Sequence, residues 1–144
     1  MGSETIILSG AAGAIVQGGK ILLTRHGLQK KRHIPGGVQE VGESIQDTVC
    51  REIKEELALE LRVKSLVSVY SDPRWTLEYP NGDRVQQLLF FFLMEGPIGP
   101  IRLQEEEITA YRFFELDAVP EDTMECCKQK VADLREYRGQ PVFR

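Results

Sequence analysis

The sequence is poor in cysteine, and its three cysteines form no familiar pattern. Cys126 and Cys127 are adjacent, and Cys50 stands alone in the first half of the chain. A disulfide framework needs an even set of spaced cysteines, and a zinc site needs ligand pairs at short spacing. The cysteine pattern argues against both kinds of protein and leads us to expect a cytoplasmic location.

Long apolar runs are also missing. No stretch approaches the ~20 apolar residues that a helix needs to cross a bilayer, so we expect no membrane association. The apolar segment from Thr5 to Val16 is preceded by Glu4 and by no basic residue, which argues against a secretion signal. We interpret this segment as a buried strand.

The chain has no excess of positive charge either. It carries 18 Lys and Arg against 22 Asp and Glu, and its formal net charge is -4 at pH 7. Binding along a nucleic-acid backbone depends on clustered cations that displace counterions from the phosphates. We therefore expect no extensive nucleic-acid binding and favour a small molecule as the partner.

Short strand patterns and turn signals occupy much of the chain. Five runs predict strands: Ala14–Val16, Lys20–Thr24, Arg62–Tyr70, Arg84–Met94 and Tyr111–Phe114. The segments Gln17-Gly18-Gly19 and Asn81-Gly82 have the composition of tight hairpin turns. We therefore expect the first two runs to form a hairpin, and the third and fourth runs to pair with each other.

Helical patterns are predicted in two places. Over residues 44–57, four apolar residues recur every fourth position: Ile45, Val49, Ile53 and Leu57. Ser44 is the predicted N-cap of this helix, with Asp47 in place of the usual capping-box Glu. A second helix is predicted over Glu121–Arg138, with Asp122 or Thr123 near its N-cap. Strands combined with two well-separated helices indicate an α/β sandwich.

Three acidic residues crowd the end of the first predicted helix. Glu52, Glu55 and Glu56, here called the box glutamates, lie three and four residues apart and therefore share one surface. Two such charges 5 Å apart repel by roughly 3 kcal/mol at an effective dielectric of 20, and the helix dipole adds to this penalty. A divalent cation removes both penalties, although a solvated helix face is the alternative for a charge run taken alone.

The spacing around these carboxylates resembles the Nudix box, Gly-x5-Glu-x7-Arg-Glu-U-x-Glu-Glu-x-Gly-U, where U is a bulky aliphatic residue. The matching residues are Gly37, Glu43, Arg51, Glu52, Ile53, Glu55, Glu56 and Leu59. Ala58 stands where the family has its last Gly. Because that Gly commonly adopts a left-handed turn, in which Ala costs about 1 kcal/mol, we expect a strained or altered helix end.

The resemblance implies a Nudix-type α/β/α sandwich, with a mixed β-sheet between helices and residues 1-144 as one domain. It implies Mg²⁺, with Mn²⁺ as a substitute, held by the box glutamates Glu52, Glu55 and Glu56 and by the carbonyl of Gly37. Arg51 is predicted to brace Glu55 or to reach back to Glu43. The predicted catalytic residues are Glu52, Glu56 and Arg51, and the alternatives for the base that accepts the proton of water are the loop residues Glu105, Glu106 and Glu107.

Candidate substrate-binding residues lie at the glycine loop and outside it. Gly36 and Gly37 form the loop itself, and Arg25 precedes it as a candidate phosphate contact. Trp75 and Tyr79 are candidate stacking partners for a base, with a packing role in the core or at the rim as the alternative.

The activity that the resemblance implies is Mg²⁺-dependent cleavage of a phosphoanhydride bond. The substrate would be a nucleoside diphosphate linked to another moiety: a nucleotide sugar, a compound like ADP-ribose, a dinucleoside polyphosphate or a nucleoside triphosphate. The alternatives are a non-catalytic sensor of nucleotide sugars and a pyrophosphohydrolase of RNA 5′ ends. Because many family members dimerise, a homodimer is also expected.

Overall fold

A computed structural model of the chain describes residues 4–27, 31–104, 106 and 108–144. The α-helices are α1 (Ile45–Leu57) and α2 (Glu125–Glu136), and a 3-10 helix spans Pro73–Trp75. The strands are β1 (Thr5–Ala14), β2 (Val16–Gln17), β3 (Lys20–His26), β4 (Arg32–His33), β5 (Gly36–Val38), β6 (Arg62–Tyr70), β7 (Thr76–Glu78), β8 (Arg84–Glu95), β9 (Ile108–Glu115) and β10 (Val142–Phe143). None of the described helices is long and apolar enough to cross a membrane.

The larger sheet is mixed. Its strand order is β10-β6-β8-β1-β5, and β7 pairs with the N-terminal end of β8. Strands β1 and β8 run parallel over their whole register, and β10 is parallel to β6. Strand β6 is antiparallel to β8, and β5 is antiparallel to β1. The smaller sheet has the order β2-β3-β4, and β9 pairs with β3.

The two helices cover opposite faces of the larger sheet. Successive residues of a strand point to opposite faces, and Phe91 and Phe92 of β8 accordingly belong to different core clusters. Phe92 packs in the cluster that contains Ile53 of α1, and Phe91 packs in the cluster that contains Val131 of α2. The predicted α/β/α arrangement with a mixed sheet between helices is confirmed.

Helix α1 begins and ends with the caps that its sequence predicts. The Ser44 side chain accepts a hydrogen bond from the backbone N–H of Asp47, and the Asp47 side chain accepts one from the N–H of Ser44. At the other end, Ala58 adopts the left-handed conformation with φ of 59°, and its N–H donates to the carbonyl of Lys54. Ala58 thus takes the backbone conformation usually occupied by glycine.

The bounds predicted for the second helix are wrong at its N-terminus. Helix α2 begins at Glu125, and its N-cap is Met124, with no side-chain cap. The backbone of residues 122–124 is held by Arg32 instead: the Arg32 N–H donates to the carbonyl of Asp122, and the Met124 N–H donates to the carbonyl of Arg32. The Asp122 carboxylate accepts from Arg25 and Arg32, so it is not available as a helix cap.

The first predicted hairpin is confirmed, but its first strand is shorter than predicted. Val16–Gln17 pairs with β3 around Gly18 and Gly19, both of which have positive φ. Ala14 belongs to β1 in the other sheet. The interpretation of Thr5–Val16 as a buried strand holds only for its second half, because Ile6 and Ile7 are exposed.

The predicted pairing of Arg62–Tyr70 with Arg84–Met94 is also confirmed, as β6 against β8. The Asn81-Gly82 turn, however, joins β8 to the short strand β7, which was not predicted. In this turn the Gly82 N–H donates to the carbonyl of Tyr79. Tyr79 therefore lies at the end of a hairpin that belongs to the larger sheet.

Candidate active site

The box glutamates differ strongly in exposure. The side chain of Glu56 is 3% exposed, that of Glu52 is 20% exposed and that of Glu55 is 51% exposed. Each residue turns the helix by about 100°, so the three carboxylates form a band from the buried side of α1 to solvent. Glu56 faces β5, and Glu55 lies at the outer edge of the band.

Two glycines of β5 bring the sheet edge against this band. A Cβ on Gly37 would lie 2.8 Å from Oε2 of Glu52 and closer still to its Cδ, so no side chain fits there. The backbone N–H of Gly36 donates to Oε2 of Glu56 over 3.2 Å, and a Cβ on Gly36 would collide with the carbonyl of Ala11. The glycines are needed for this close packing of β1, β5 and α1.

Arg51 binds the acidic residues on both sides of it. Its Nε and Nη2 donate to the two carboxylate oxygens of Glu43 over 3.0 and 2.8 Å. Its Nη1 donates to Glu52 over 2.9 Å and to Glu55 over 3.3 Å. Both of the alternatives predicted for Arg51, a contact with Glu55 and a contact with Glu43, are therefore present in the structure.

This network shifts the protonation of its members. The hydrogen bonds from Arg51 are the main cause that lowers the pKa of Glu43 from 4.5 to about 2, helped by the backbone N–H of Glu40. The hydrogen bonds with Glu43 in turn raise the pKa of Arg51 above its usual value. Glu43 is therefore a fixed negative charge at neutral pH, and it orients the guanidinium that contacts Glu52.

The acidic side chains do not converge on one point. Within the described ranges, no three His, Cys, Asp or Glu side chains are grouped closely enough to hold a metal ion. Arg51 contacts both Glu52 and Glu55, and Glu56 lies against the N–H of Gly36 and 3.7 Å from Nε2 of His26. The available donors are nonetheless hard carboxylate oxygens, which are the ligands that Mg²⁺ prefers.

The loop between β8 and β9 docks on the C-terminal end of α1. The N–H of Arg102 donates to the carbonyl of Leu57, and the N–H of Gln104 donates to the carbonyl of Glu56. These bonds satisfy carbonyls that a helix end leaves without partners. Glu106 is exposed in this loop, whereas the predicted candidates Glu105 and Glu107 lie outside the described residues.

A cavity of about 590 Å³ lies on the α2 face of the larger sheet, across β5 from the box glutamates. Residues 8–12 of β1 and alternate residues of β8 form its floor, and one side of α2 forms a wall. Gly36 and Gly37 line it as well, so β5 borders both the cavity and the carboxylates. Lining residues include Leu8, Gly10, Ala12, Val85, Gln87, Leu89, Cys126 and Lys130.

The structure brings some of the predicted substrate residues together and places others elsewhere. Gly36, Gly37 and Tyr79 line the cavity. Arg25 forms an ion pair with Asp122, and Trp75 packs edge-on against the ring of Tyr70 with centroids 5.5 Å apart. Neither Arg25 nor Trp75 is among the described lining residues.

Several polar cavity residues were not selected from the sequence, among them His33, Cys126 and Lys130. Burial is the main cause that lowers the pKa of His33 to about 4, and the charges of His26 and Lys130 add to it. The pKa of Cys126 is lowered because its thiol is hydrogen-bonded to Cys127, with Lys130 contributing. The spacing of Cys126 and Lys130, one helical turn apart, was the available sequence signal for a shared face.

Comparison with known proteins gives consistent results. The family model described as NUDIX domain matches residues 8–134. A NAD-capped RNA hydrolase, NudC, of Mannheimia succiniciproducens is 36% identical over 115 residues, which is 72% of this chain and 38% of that protein. An ADP-ribose pyrophosphatase of Methanocaldococcus jannaschii is 34% identical over 87 residues, which is 60% of this chain and 47% of that protein.

The solved structure of a MutT NUDIX hydrolase from Burkholderia pseudomallei shares the fold. It has a TM-score of 0.73 at 24% identity, over 90% of this chain and 98% of that one. The chain spans less than half the length of the two curated relatives. The family match covers most of the chain and includes the whole box, and the chain therefore belongs to the NUDIX domain family.

Proposed function

We propose that this chain is a metal-dependent hydrolase that cleaves a phosphoanhydride bond in a nucleoside diphosphate derivative. The observation that carries this proposal is the position of β5. Its two glycines pack against Glu52 and Glu56 on one side and line a cavity of about 590 Å³ on the other. A nucleotide whose organic part occupies the cavity would have its phosphates close to the carboxylates.

The proposed cofactor is Mg²⁺, with Mn²⁺ as a substitute. Nudix hydrolases generally use divalent metal ions, and the box glutamates offer the oxygen donors that such ions prefer. Glu52, Glu55, Glu56 and the carbonyl of Gly37 are the proposed ligands. When bound, the metal would neutralise charge on the diphosphate and make a bound water more acidic.

The chain's own residues then have distinct roles. Arg51, anchored by Glu43, holds the Glu52 carboxylate in place beside Gly37. Glu56 is buried, and a backbone N–H fixes one of its oxygens. We propose Glu52 or Glu56 as the group that accepts the proton of the attacking water, with Glu106 as the described loop alternative.

The proposed substrates are nucleotide sugars, compounds like ADP-ribose, dinucleoside polyphosphates and nucleoside triphosphates. The name of the relative from Methanocaldococcus supports an ADP-ribose-like substrate. The mostly apolar sheet floor of the cavity also suits the ring of a base more than a second highly charged group.

An RNA 5′ end is a second candidate substrate, because the relative from Mannheimia hydrolyses NAD-capped RNA. The net charge of -4 weighs against it, since a long RNA is best held by clustered cations. The other alternative, a sensor that does not cleave its ligand, has no such support, because every acidic residue of the box is present.

We further propose that residues 1-144 act as one domain in the cytoplasm. Cys50, Cys126 and Cys127 are all free thiols, which suits a reducing compartment. The homodimer expected from the family stays a prediction.

The proposal is tested with a panel of these compounds in the presence of Mg²⁺ or Mn²⁺. The protein should release a nucleoside monophosphate from at least one compound, and Glu52→Gln or Glu56→Gln should lower kcat/KM by about 100-fold or more. Glu60→Gln is the matched control, because the Glu60 side chain is 77% exposed and pairs with Lys54 outside the site. Absence of turnover across the panel, or full activity in both site variants, would contradict the proposal.

A further inference from the structure

The most unusual group in the cavity is the ammonium of Lys130. Lys130 is 2% exposed and lines the cavity. Among the residues that the structure describes, no carboxylate lies within 4.0 Å of its Nζ. Burial of an ammonium without a carboxylate partner costs free energy, which a hydrogen-bond acceptor in the cavity would offset.

The nearby acidic residue on α2 is already engaged. The Asp133 carboxylate accepts hydrogen bonds from the Tyr70 hydroxyl, from Gln129 and from the Arg144 guanidinium. Both oxygens of this carboxylate therefore already accept hydrogen bonds. Asp133 therefore stabilises the core and does not neutralise Lys130.

The contacts that Lys130 does make leave it able to donate further. Its Nζ lies 4.6 Å from the centre of the Tyr70 ring and 3.5 Å from the carbonyl of Cys126, which is long for a hydrogen bond. An ammonium has three N–H donors and no acceptor. A ligand in the cavity can therefore be recognised through an oxygen or nitrogen that accepts a hydrogen bond.

The shape of the cavity indicates which part of a nucleotide carries that acceptor. The floor includes two small residues of β1, Gly10 and Ala12, which leave room above the sheet. Leu89 of β8 lies beside them. A planar ring fits an apolar floor of this kind, and the proposed function places the diphosphate at the box glutamates on the other side of β5.

We propose that Lys130 is a specificity residue that donates a hydrogen bond to a keto oxygen of the substrate's base. The inference rests on the proposed function in placing the nucleotide in this cavity. Because the ammonium only donates, a keto group is accepted, and an exocyclic amino group at the same position opposes one donor with another. The site should therefore prefer hypoxanthine and guanine to adenine.

The sharpest test compares two substrates that differ at this one position of the base: ADP-ribose and its inosine analogue. We expect kcat/KM to be at least about tenfold higher for the inosine compound, mainly through a lower KM. Lys130→Met, which keeps the length of the side chain and removes the donor, should abolish this preference. Equal turnover of the two compounds by the unaltered protein, or preference for adenosine, would overturn the inference.

Lys128→Met is the matched control. Lys128 lies on the same helix but pairs with Glu121 and Glu125 outside the cavity, so the variant makes the same change in charge. It should keep the full preference for the inosine compound. An unchanged preference in Lys130→Met, or an equal loss in Lys128→Met, would show that Lys130 does not recognise the base.

A binding measurement separates this inference from the proposed function. Calorimetry with IMP and AMP in the absence of metal should show at least about tenfold tighter binding of IMP, and Lys130→Met should remove the difference. A binding preference without any hydrolysis would support the role of Lys130 and contradict the hydrolase. Hydrolysis without any preference between the two bases would support the hydrolase and contradict the role of Lys130. The comparison within the unaltered protein stays decisive if Lys130→Met fails to fold.

Discussion

Gly37 and Glu52 are in direct contact, and the space between them is too small for a single methyl group. The contact joins the glycine strand β5 to the helix that carries the acidic residues. It gives a physical reason for glycine at the first position of the box. The orientation of Glu52 depends on this contact and on the hydrogen bond from Arg51.

We predict that Gly37→Ala lowers kcat/KM by about 100-fold, because the added methyl displaces the Glu52 carboxylate. Steady-state kinetics measures the loss, and circular dichroism shows whether the fold is retained. Gly99→Ala is the control, since a Cβ on Gly99 would have no neighbour within 4 Å. Full activity of Gly37→Ala would mean that the position of Glu52 is not critical.

The pKa of Glu43 predicts how stability responds to acid. Its pKa falls from 4.5 to about 2 on folding, so the unfolded chain binds a proton at Glu43 between these values and the folded chain does not. The contribution of this carboxylate is therefore complete above pH 4.5 and is lost as the pH falls toward 2. In Glu43→Gln this part of the acid sensitivity should disappear.

Thermal melts at several pH values below neutral check this prediction. The difference in Tm between the unaltered protein and Glu43→Gln should shrink steadily below about pH 4.5. Glu60→Gln, at an exposed site, should follow the unaltered protein at every pH. A constant difference for Glu43→Gln would show that the Arg51 contact does not depend on ionisation of Glu43.

The three thiols should differ in reactivity. The hydrogen bond with Cys127, together with the Lys130 ammonium, lowers the pKa of Cys126, and burial raises that of Cys50. The thiolate is the reactive form, so iodoacetamide at neutral pH should modify Cys126 first. Peptide mass spectrometry follows the reaction at each site.

A nucleotide in the cavity should slow modification of Cys126, because this residue lines the cavity. Lys130→Met should also slow it, since the variant removes a neighbouring positive charge. Cys126→Ser should abolish the fast phase. If Cys50 reacts first in the unaltered protein, the described environment of the α2 thiols is wrong.

Ala58 is a site where a single change should stabilise the fold. Its φ of 59° is unfavourable for Ala and free of strain for Gly, so Ala58→Gly should raise the free energy of unfolding by up to about 1 kcal/mol. Urea denaturation measures the change. Ala132→Gly, inside helix α2, should lower stability by about 1 kcal/mol. A loss of stability in Ala58→Gly would contradict the account of this helix end.

Features encoded by neighbouring residues were predictable from the sequence. The reciprocal caps of Ser44 and Asp47 and the apolar stripe of α1 depend on residues three or four positions apart. The box glutamates follow from the same local spacing. Their graded exposure was not predictable, because it depends on how β5 and the loop after β8 pack on the helix.

Features that depend on distant contacts were missed. Asp122, just before α2, pairs with Arg25 and Arg32, which lie 97 and 90 positions away, so it does not cap the helix. Trp75 and Tyr79 are only four positions apart in the sequence, yet Trp75 packs on Tyr70 and Tyr79 lines the cavity. Lys130 lines the cavity only because α2 packs over the sheet, and this packing depends on contacts between distant residues.

Divalent metal ions should bind at the box glutamates, and titration with Mn²⁺ in the presence of a nucleotide tests this central claim most directly. Electron paramagnetic resonance of free Mn²⁺ should show saturable binding to the unaltered protein and to Glu60→Gln. Glu52→Gln and Glu56→Gln should each weaken that binding by about tenfold or more. Equal binding by all four proteins, or none by the unaltered protein, would contradict a metal-dependent site on α1.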